Sequence, residues 1–272
     1  LACKFGARRV YAVENNDAIH LAREMAQANH FADRIEFVQG LSTDITLPER
    51  ADVIVSDLRG ILPLFGQHIP SIVDARRRHL APGGTLIPKR DTLWVALVEG
   101  RSTYLSLTKP WDRPYGLDME AARKIALNRW TQDDTELFKP AHLLTEAKVW
   151  AVLDYSSIED ANVINSQITQ IAVRDGMAHG WLVWFDAELV QGIGFSNAPE
   201  IRKPTDVYGR AFFPLLKPVP ISQGDRVSLA LQATLEDDEY IWGWHTQVYA
   251  GDRSPEIKAA NQQSTVYGRD YS

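Results

Sequence analysis

Sulfur is scarce in this 272-residue chain, which has one cysteine, Cys3, and three methionines. One cysteine excludes an internal disulfide and a cysteine-based zinc cage, and it fits a reducing compartment. No apolar run approaches the roughly 20 residues that cross a bilayer as a helix. A secretory leader pattern is missing too, because Lys4, Arg8 and Arg9 interrupt the only apolar stretch near the start. Positive charge is in deficit, 29 Lys and Arg against 35 Asp and Glu, for a formal net charge of -6. That balance argues against broad attraction to nucleic acid or an anionic membrane. The reading is a cytoplasmic protein with no membrane segment and no metal site. Hydrophobic residues make up 45% of the chain, enough for one large core or two modest ones.

What is present begins with strand, acid and helix. Residues 1–9 read as the second half of a helix ending near Gly6. Val10 to Val13 form a buried strand closed by Glu14, and Asn15 or Asn16 caps a helix with an apolar stripe of Ala18, Leu21, Ala22, Met25 and Ala28. A strand-end carboxylate can accept two hydrogen bonds from a ribose diol, although an acid at a helix start also answers the dipole alone. No glycine-rich turn precedes Glu14, so nothing there cradles a phosphate. Ile35 to Val38 gives the next strand. Residues 51–65 organise the rest: Val53-Ile54-Val55 is a β-branched run of the kind buried on both faces, and it stops abruptly at Ser56 and Asp57 before a Gly/Pro-bearing loop. Ligands of open α/β sheets lie beyond the carboxyl ends of strands, which puts Ser56, Asp57 and Arg59 where chemistry is expected. Ile69, Ile72, Val73 and Leu80 share a helical face, with Arg76, Arg77 and Arg78 largely on the solvated side. Ala81 to Gly84 breaks that helix, and Thr85 to Pro88 opens a strand.

From Asp91 onward the pattern changes to strands alone. Leu93, Val95 and Leu97 alternate with their neighbours, as do Val227 to Leu235 and Trp242 to Val248, which points to an antiparallel sandwich or barrel. Residues 111–139 differ. Prolines bracket a helix over Met119 to Trp130 that exposes Leu117, Ile125, Leu127 and Trp130, a projecting arm whose apolar stripe calls for a partner. Residues 251–272 are polar and aperiodic and read as a surface extension. The domain plan is 1–90, then 91–250 with an arm at 111–140, then 251–272.

In order along the chain, Gly6-Ala-Arg-Arg-Val-Tyr-Ala-Val-Glu14, Asn29 with Asp33-Arg-Ile35, Asp52-Val-Ile-Val-Ser56, Asp74-Ala-Arg76, Leu80-Ala-Pro-Gly-Gly-Thr-Leu-Ile-Pro88, Tyr115-Gly-Leu-Asp-Met119 and Gly194-Phe-Ser-Asn-Ala-Pro199 resemble the protein arginine methyltransferases. The resemblance extends to about Tyr249. It implies an α/β + β fold: a Rossmann-like class I methyltransferase half, incomplete at its N-terminus, then a β-barrel with a helical dimerisation arm that makes a homodimer. It implies S-adenosyl-L-methionine as cofactor, with Glu14 at the ribose, the segment Ser42-Thr43-Asp44 beside the adenine, and Asn15 and Ser56 as further cofactor-binding candidates. Thr43 stands where the family usually has a glutamate, and the family's glycine-rich motif would lie ahead of Leu1.

The family grips a guanidinium with two glutamates. The first matches Asp57 and the second matches Gly66, which has no side chain. A Thr-His-Trp loop of the family is matched by Thr205-Asp206-Val207. The catalytic candidates are therefore Asp57, which would orient the nucleophile, with Gln67 and His68 beside the missing carboxylate. His68 itself reads as a surface histidine at a helix start, and His245 as a strand residue. The expectation is methyl transfer to a protein or small-molecule acceptor, with a non-arginine nucleophile or a catalytically inactive dimeric scaffold as alternatives.

Overall fold

A computed structural model describes residues 1–133, 138–201 and 207–268. Its residues group into two compact units, Leu1–Ile54 with Ser71–Thr85, and Val55–Pro70 with Leu86–Ser272.

In the first unit, strands β1 (Val10–Glu14) and β2 (Ile35–Gln39) pair in parallel, Glu14 opposite Gln39, with helix α1 (Ala18–Ala28) between them in the chain. Residues 1–7 carry the bonds of a helix's closing turn, Ala7 N–H to the Ala2 carbonyl at 3.0 Å and Gly6 N–H to Cys3 at 3.2 Å, with Gly6 at φ +101. The N-cap is neither Asn15 nor Asn16 but Asp17, whose side chain makes no cap bond; Asn16, one residue earlier, accepts the Ala18 N–H through its Oδ1 at 2.8 Å. Helix α1 turns a different face inward from the one expected. Ile19 and Ala26 are buried while Leu21 and Met25 are exposed, and α1 packs on β1 and β2.

Strand β3 (Ala51–Val55) pairs with β4 (Leu80–Ile87). Ala51 N–H donates to the His79 carbonyl and Ser56 N–H to that of Ile87, so the two strands run the same way. Val53 and Val55 are exposed, which corrects the expectation of burial on both faces. Among the described residues β3 has only β4 beside it, and its β-branched residues serve the extended backbone rather than a double burial. Helix α2 (His68–Arg78) buries Ile69, Ile72 and Val73 as read, but Leu80 already belongs to β4. Pro82, Gly83 and Gly84 lie inside β4 rather than between elements. A Cβ on Gly84 would stand 3.0 Å from the Asp52 carbonyl oxygen, so the close passage of the two strands requires glycine there.

The second unit holds β5 (Arg90–Val98), helices α3 (Arg101–Thr108) and α4 (Glu120–Leu127), and strands β6 (Thr131–Asp133), β7 (Lys148–Asp154), β8 (Val163–Ile171), β9 (Gly176–Val190), β10 (Ile193–Ser196), β11 (Arg210–Ile221), β12 (Arg226–Glu236), β13 (Glu239–Tyr249) and β14 (Ile257–Ser264). One sheet has the order β6-β11-β9-β5-β7 with β10 on β9, and the other has the order β14-β13-β12-β8. Among the described residues they remain two antiparallel sheets and not a closed barrel. Tryptophans join them. The indole N–H of Trp181 donates to Thr246 Oγ1 at 2.9 Å, that of Trp150 to the Leu231 carbonyl at 2.9 Å, and that of Trp244 to the Pro214 carbonyl at 3.1 Å. Each indole thus fills the space between sheets and satisfies its one donor on the opposite side.

Two expectations about this unit need correction. The tail is not an aperiodic surface extension, since β14 completes the second sheet and buries Asn261 and Gln263. Its polar residues are inside because they are paired: Gln263 Nε2 donates to the carbonyls of Leu127 and Pro214, and Ser264 N–H donates to Asn128 Oδ1. The arm's stripe is divided. Leu127 is buried and Trp130 packs its ring on Phe213 and Trp242, while Tyr115, Leu117 and Ile125 remain exposed. Helix α4 lies on α3 and β11, and residues 134–137 of the expected arm fall outside the described residues. Among the described residues no helix is long and apolar enough to cross a membrane, and no group of three metal-ligating side chains comes together.

Candidate functional site

The loop after β3 belongs to the second unit and is shaped by its own packing. A Cβ on Gly60 would fall 2.7 Å from the Phe65 ring, so the loop can close over that residue only as glycine. Leu62 and Leu64 are buried and hold the loop down. Gly66 takes φ +44, and the chain then enters α2 with His68 N–H on the Phe65 carbonyl.

On this frame Asp57 stands with its side chain 60% exposed. The Tyr208 hydroxyl donates to Asp57 Oδ1, and Arg59 Nε lies 3.4 Å from the same oxygen. Among the described residues Oδ2 has no hydrogen-bond partner. Arg59 is a buried cation, its side chain 3% exposed, with Nη1 3.3 Å from Oδ1 of the fully buried Asp91. Its guanidinium carbon lies 5.2 Å from the Tyr208 ring centre, 5.4 Å from that of Phe195 and 5.8 Å from that of Phe185. The Phe195 and Tyr208 rings are stacked 5.4 Å apart. Behind Asp91 the chain of bonds continues: the Tyr155 hydroxyl donates to Asp91 Oδ2 at 2.6 Å, and His68 Nε2 lies 3.0 Å from that hydroxyl. Since Tyr155 donates to Asp91, its oxygen accepts from His68, which assigns the Nε2–H tautomer and leaves Nδ1 as a buried acceptor with no partner among the described residues.

Burial dominates the electrostatics. It pushes Asp91 up to about 6 against the opposing pull of Arg59 and Tyr155. It pushes His68 down to about 4, reinforced by the Arg59 charge, so His68 is neutral near pH 7. Tyr208 is raised to about 12, by burial first and then by its bond to Asp57.

His68 is therefore not a surface residue. It is sealed against Tyr155, where it positions a buried chain of polar groups and cannot receive a substrate proton. Gln67 is also committed, its Nε2 donating to the Asp237 carbonyl and, at 3.1 Å, to Asp238 Oδ1 in the turn between β12 and β13. It fastens the loop to that turn. Thr205 and Asp206 lie outside the described residues, and Val207 is exposed. Asp91, Tyr155 and Tyr208 were missed from the sequence. For Asp91 a signal existed: it occupies the same face of β5 as Leu93, Val95 and Leu97, so strand parity put a carboxylate in the core.

The cofactor candidates lie mostly in the first unit. Glu14 ends β1, and its Oε1 accepts the Asn16 N–H at 3.0 Å while Oε2 is without a partner among the described residues. It thus fits a diol with one carboxylate oxygen free rather than two. Asn15 is exposed beside it. Ser42 and Thr43 lie on a loop clamped by Arg78, whose Nη2 donates to the carbonyls of Ser42 at 2.8 Å and Thr43 at 2.9 Å and whose Nη1 donates to that of Ile45 at 2.7 Å. Asp74 holds the other edge of that guanidinium in a two-point pair at 2.8 and 2.6 Å. Arg78 is therefore a loop clamp and not part of a solvated basic face. Ser56, in the second unit, uses its N–H on Ile87, leaving its side chain for any ligand.

Residues 89–246 match the family model of the arginine methyltransferase oligomerization subdomain. Protein arginine N-methyltransferase 1 of Schizosaccharomyces pombe is 31% identical over 199 residues, covering 71% of this chain and 58% of that protein. The Dictyostelium discoideum protein of the same name is 27% identical over 206 residues, 74% of this chain and 60% of its own length. The chain thus spans less than two thirds of either relative. Among solved structures, Arabidopsis thaliana protein arginine methyltransferase 10 superposes with a TM-score of 0.81 at 21% identity, over 97% of this chain and 84% of that one. The Trypanosoma brucei PRMT1 enzyme-prozyme heterotetrameric complex with AdoHcy gives 0.83 at 19% identity, over 97% and 83%. At these identities the structural likeness carries the fold.

Proposed function

Because this chain belongs to the protein arginine methyltransferase family, we propose that the whole protein transfers a methyl group from S-adenosyl-L-methionine to an acceptor oriented by Asp57. Glu14 Oε2 would hold the ribose diol, and the loop of Ser42 and Thr43, fixed by Arg78, would flank the adenine. When bound, the cofactor supplies a sulfonium-activated methyl group, and transfer of that group depends on alignment more than on acid or base help. The observation that carries the reading is the Asp57 carboxylate at the end of β3, held through Oδ1 by Tyr208 and Arg59 with Oδ2 turned free. Such a fixed oxygen can accept one hydrogen bond from a nucleophile and aim its lone pair.

Self-association is part of the proposal, supported by the oligomerization-subdomain match, with the exposed Tyr115, Leu117 and Ile125 of the arm as the contact between two copies in a homodimer. Cytoplasmic residence is also proposed, on the cysteine usage. A second reading, a catalytically inactive subunit that keeps the fold, is favoured by Gly66 at the second carboxylate position. The two readings separate on one experiment. Asp57→Asn keeps the side chain's shape, and in the whole protein it should lower transfer of label from S-adenosyl-L-methionine to a cell extract by more than tenfold while leaving S-adenosylhomocysteine binding unchanged. Native protein that binds S-adenosylhomocysteine but labels nothing would favour the inactive subunit.

A further inference from the structure

We infer that residues 195–198, within the run Gly194-Phe-Ser-Asn-Ala-Pro199, are the mount of Tyr208, and that Tyr208 is a positioning residue for methyl transfer, acting through the Asp57 carboxylate. This rests on the methyltransferase reading above. The run was singled out by its sequence, and the contacts of its residues give it this task. Strand β10 pairs antiparallel with β9, Phe195 opposite Ala187. The Phe195 ring stacks on that of Tyr208, planes 2° apart and centres 5.4 Å apart, and Phe185 of β9 meets the two rings edge-on at 5.8 and 5.5 Å. Asn197 is fully buried and ties β9 to the chain just beyond Tyr208: its Oδ1 accepts the Phe185 N–H at 2.9 Å and its Nδ2 donates to the Gly209 carbonyl. Arg210 binds back, donating to the carbonyls of Asn197 at 2.6 Å and Ala198 at 3.1 Å. Tyr208 is thus held on its ring face by Phe195 and along its backbone through Gly209 and Arg210.

Held in this way, Tyr208 has one polar group to place, and that hydroxyl donates to Asp57 Oδ1. The tyrosine is buried, while the aspartate it meets is a loop residue with its side chain 60% exposed. An exposed aspartate on a loop moves among rotamers, and its broad second torsion exchanges the two oxygens. Capture of Oδ1 by a fixed donor removes that freedom and leaves Oδ2 as the oxygen that faces an acceptor. Arg59 Nε, 3.4 Å from the same Oδ1, reinforces the choice. The hydroxyl stays protonated near neutral pH, since burial and then the bond to Asp57 raise it to about 12. Fixing the carboxylate matters because transfer depends on alignment, and a displacement of about 1 Å can cost on the order of a hundredfold in rate. Packing alone would need only the ring of Tyr208, whereas positioning needs its hydroxyl.

The test uses the whole protein and two variants. Tyr208→Phe keeps the stacked ring and removes only the donor, and Phe195→Leu keeps the donor and removes the stack. Label transfer from saturating S-adenosyl-L-methionine into a dilution series of cell extract gives a limiting rate and a half-saturating extract concentration for each protein, and calorimetry gives the affinity for S-adenosylhomocysteine. Tyr208→Phe should lower the limiting rate by about tenfold or more, with half-saturation and S-adenosylhomocysteine affinity within about twofold of native. Phe195→Leu should lower the limiting rate by a smaller factor. A Tyr208→Phe protein with the native limiting rate would overturn the inference alone, because the ring would then serve packing only. Loss of S-adenosylhomocysteine affinity in parallel with rate would overturn it too, since the damage would not be confined to Asp57. Native protein that labels nothing would overturn the methyltransferase reading and this inference with it, an outcome seen before either variant is compared.

Discussion

His68 and Asp91 sit at either side of the Tyr155 hydroxyl and titrate in opposite senses. Asp91, raised from 3.8 to about 6, holds its proton more tightly folded than unfolded, so its contribution to stability is full below pH 4 and is lost as pH rises through 6. His68, lowered from 6.5 to about 4, is the reverse: its contribution is full above pH 6.5 and is lost as pH falls toward 4. Over the shared window the two slopes oppose each other in the native protein. Asp91→Asn leaves the His68 slope, so stability to urea should increase between pH 4.5 and 6.5 by on the order of 2 kcal/mol. His68→Gln, whose amide nitrogen can still donate to Tyr155, leaves the Asp91 slope and should lose stability over the same range. Identical pH slopes for the native protein and both variants would rule out this pairing.

At the scale of the element, the clamp made by α2 on the loop of Ser42 and Thr43 is the feature most open to test. Arg78→Ala removes three bonds to loop carbonyls and the Asp74 pair, and should loosen the loop. Amide exchange at residues 42–46 should quicken while exchange within β5 and β9 does not, and equal protection at 42–46 in both proteins would contradict the clamp. The arginine run shows where sequence reading stops. Helical period correctly put Ile69, Ile72 and Val73 inward, but a long side chain at the edge of the polar face can turn to meet a loop that lies 33 residues away in sequence. Strand parity was legible in β5, β12 and β13, where alternation follows from the backbone. In β14 it was hidden, because the buried positions Asn261 and Gln263 are polar and their partners come from other elements. The Asp57 position was legible from the end of the strand. Its company was not: Tyr208 reaches it from 151 residues further along the chain.

For the whole molecule, self-association is the property most exposed to challenge. Leu127 and Trp130 serve the chain's own core, so deleting the arm would damage the fold. Point changes at the exposed tip avoid this. Tyr115→Asp with Leu117→Asp should give a folded monomer in sedimentation where the native protein sediments as a dimer, because charged residues on a covered apolar patch cannot be desolvated cheaply. A dimer that persists unchanged would assign the contact to another surface.

The central proposal, that the fold serves S-adenosyl-L-methionine chemistry, is tested most directly by calorimetric titration of the whole protein with that cofactor, native beside Glu14→Ala. Native protein should bind saturably and the variant should lose ~1.5–3 kcal/mol, the scale of a charge-assisted hydrogen bond. Equal affinity in the two proteins would contradict the ribose assignment, and no binding by folded native protein would contradict the methyltransferase reading itself.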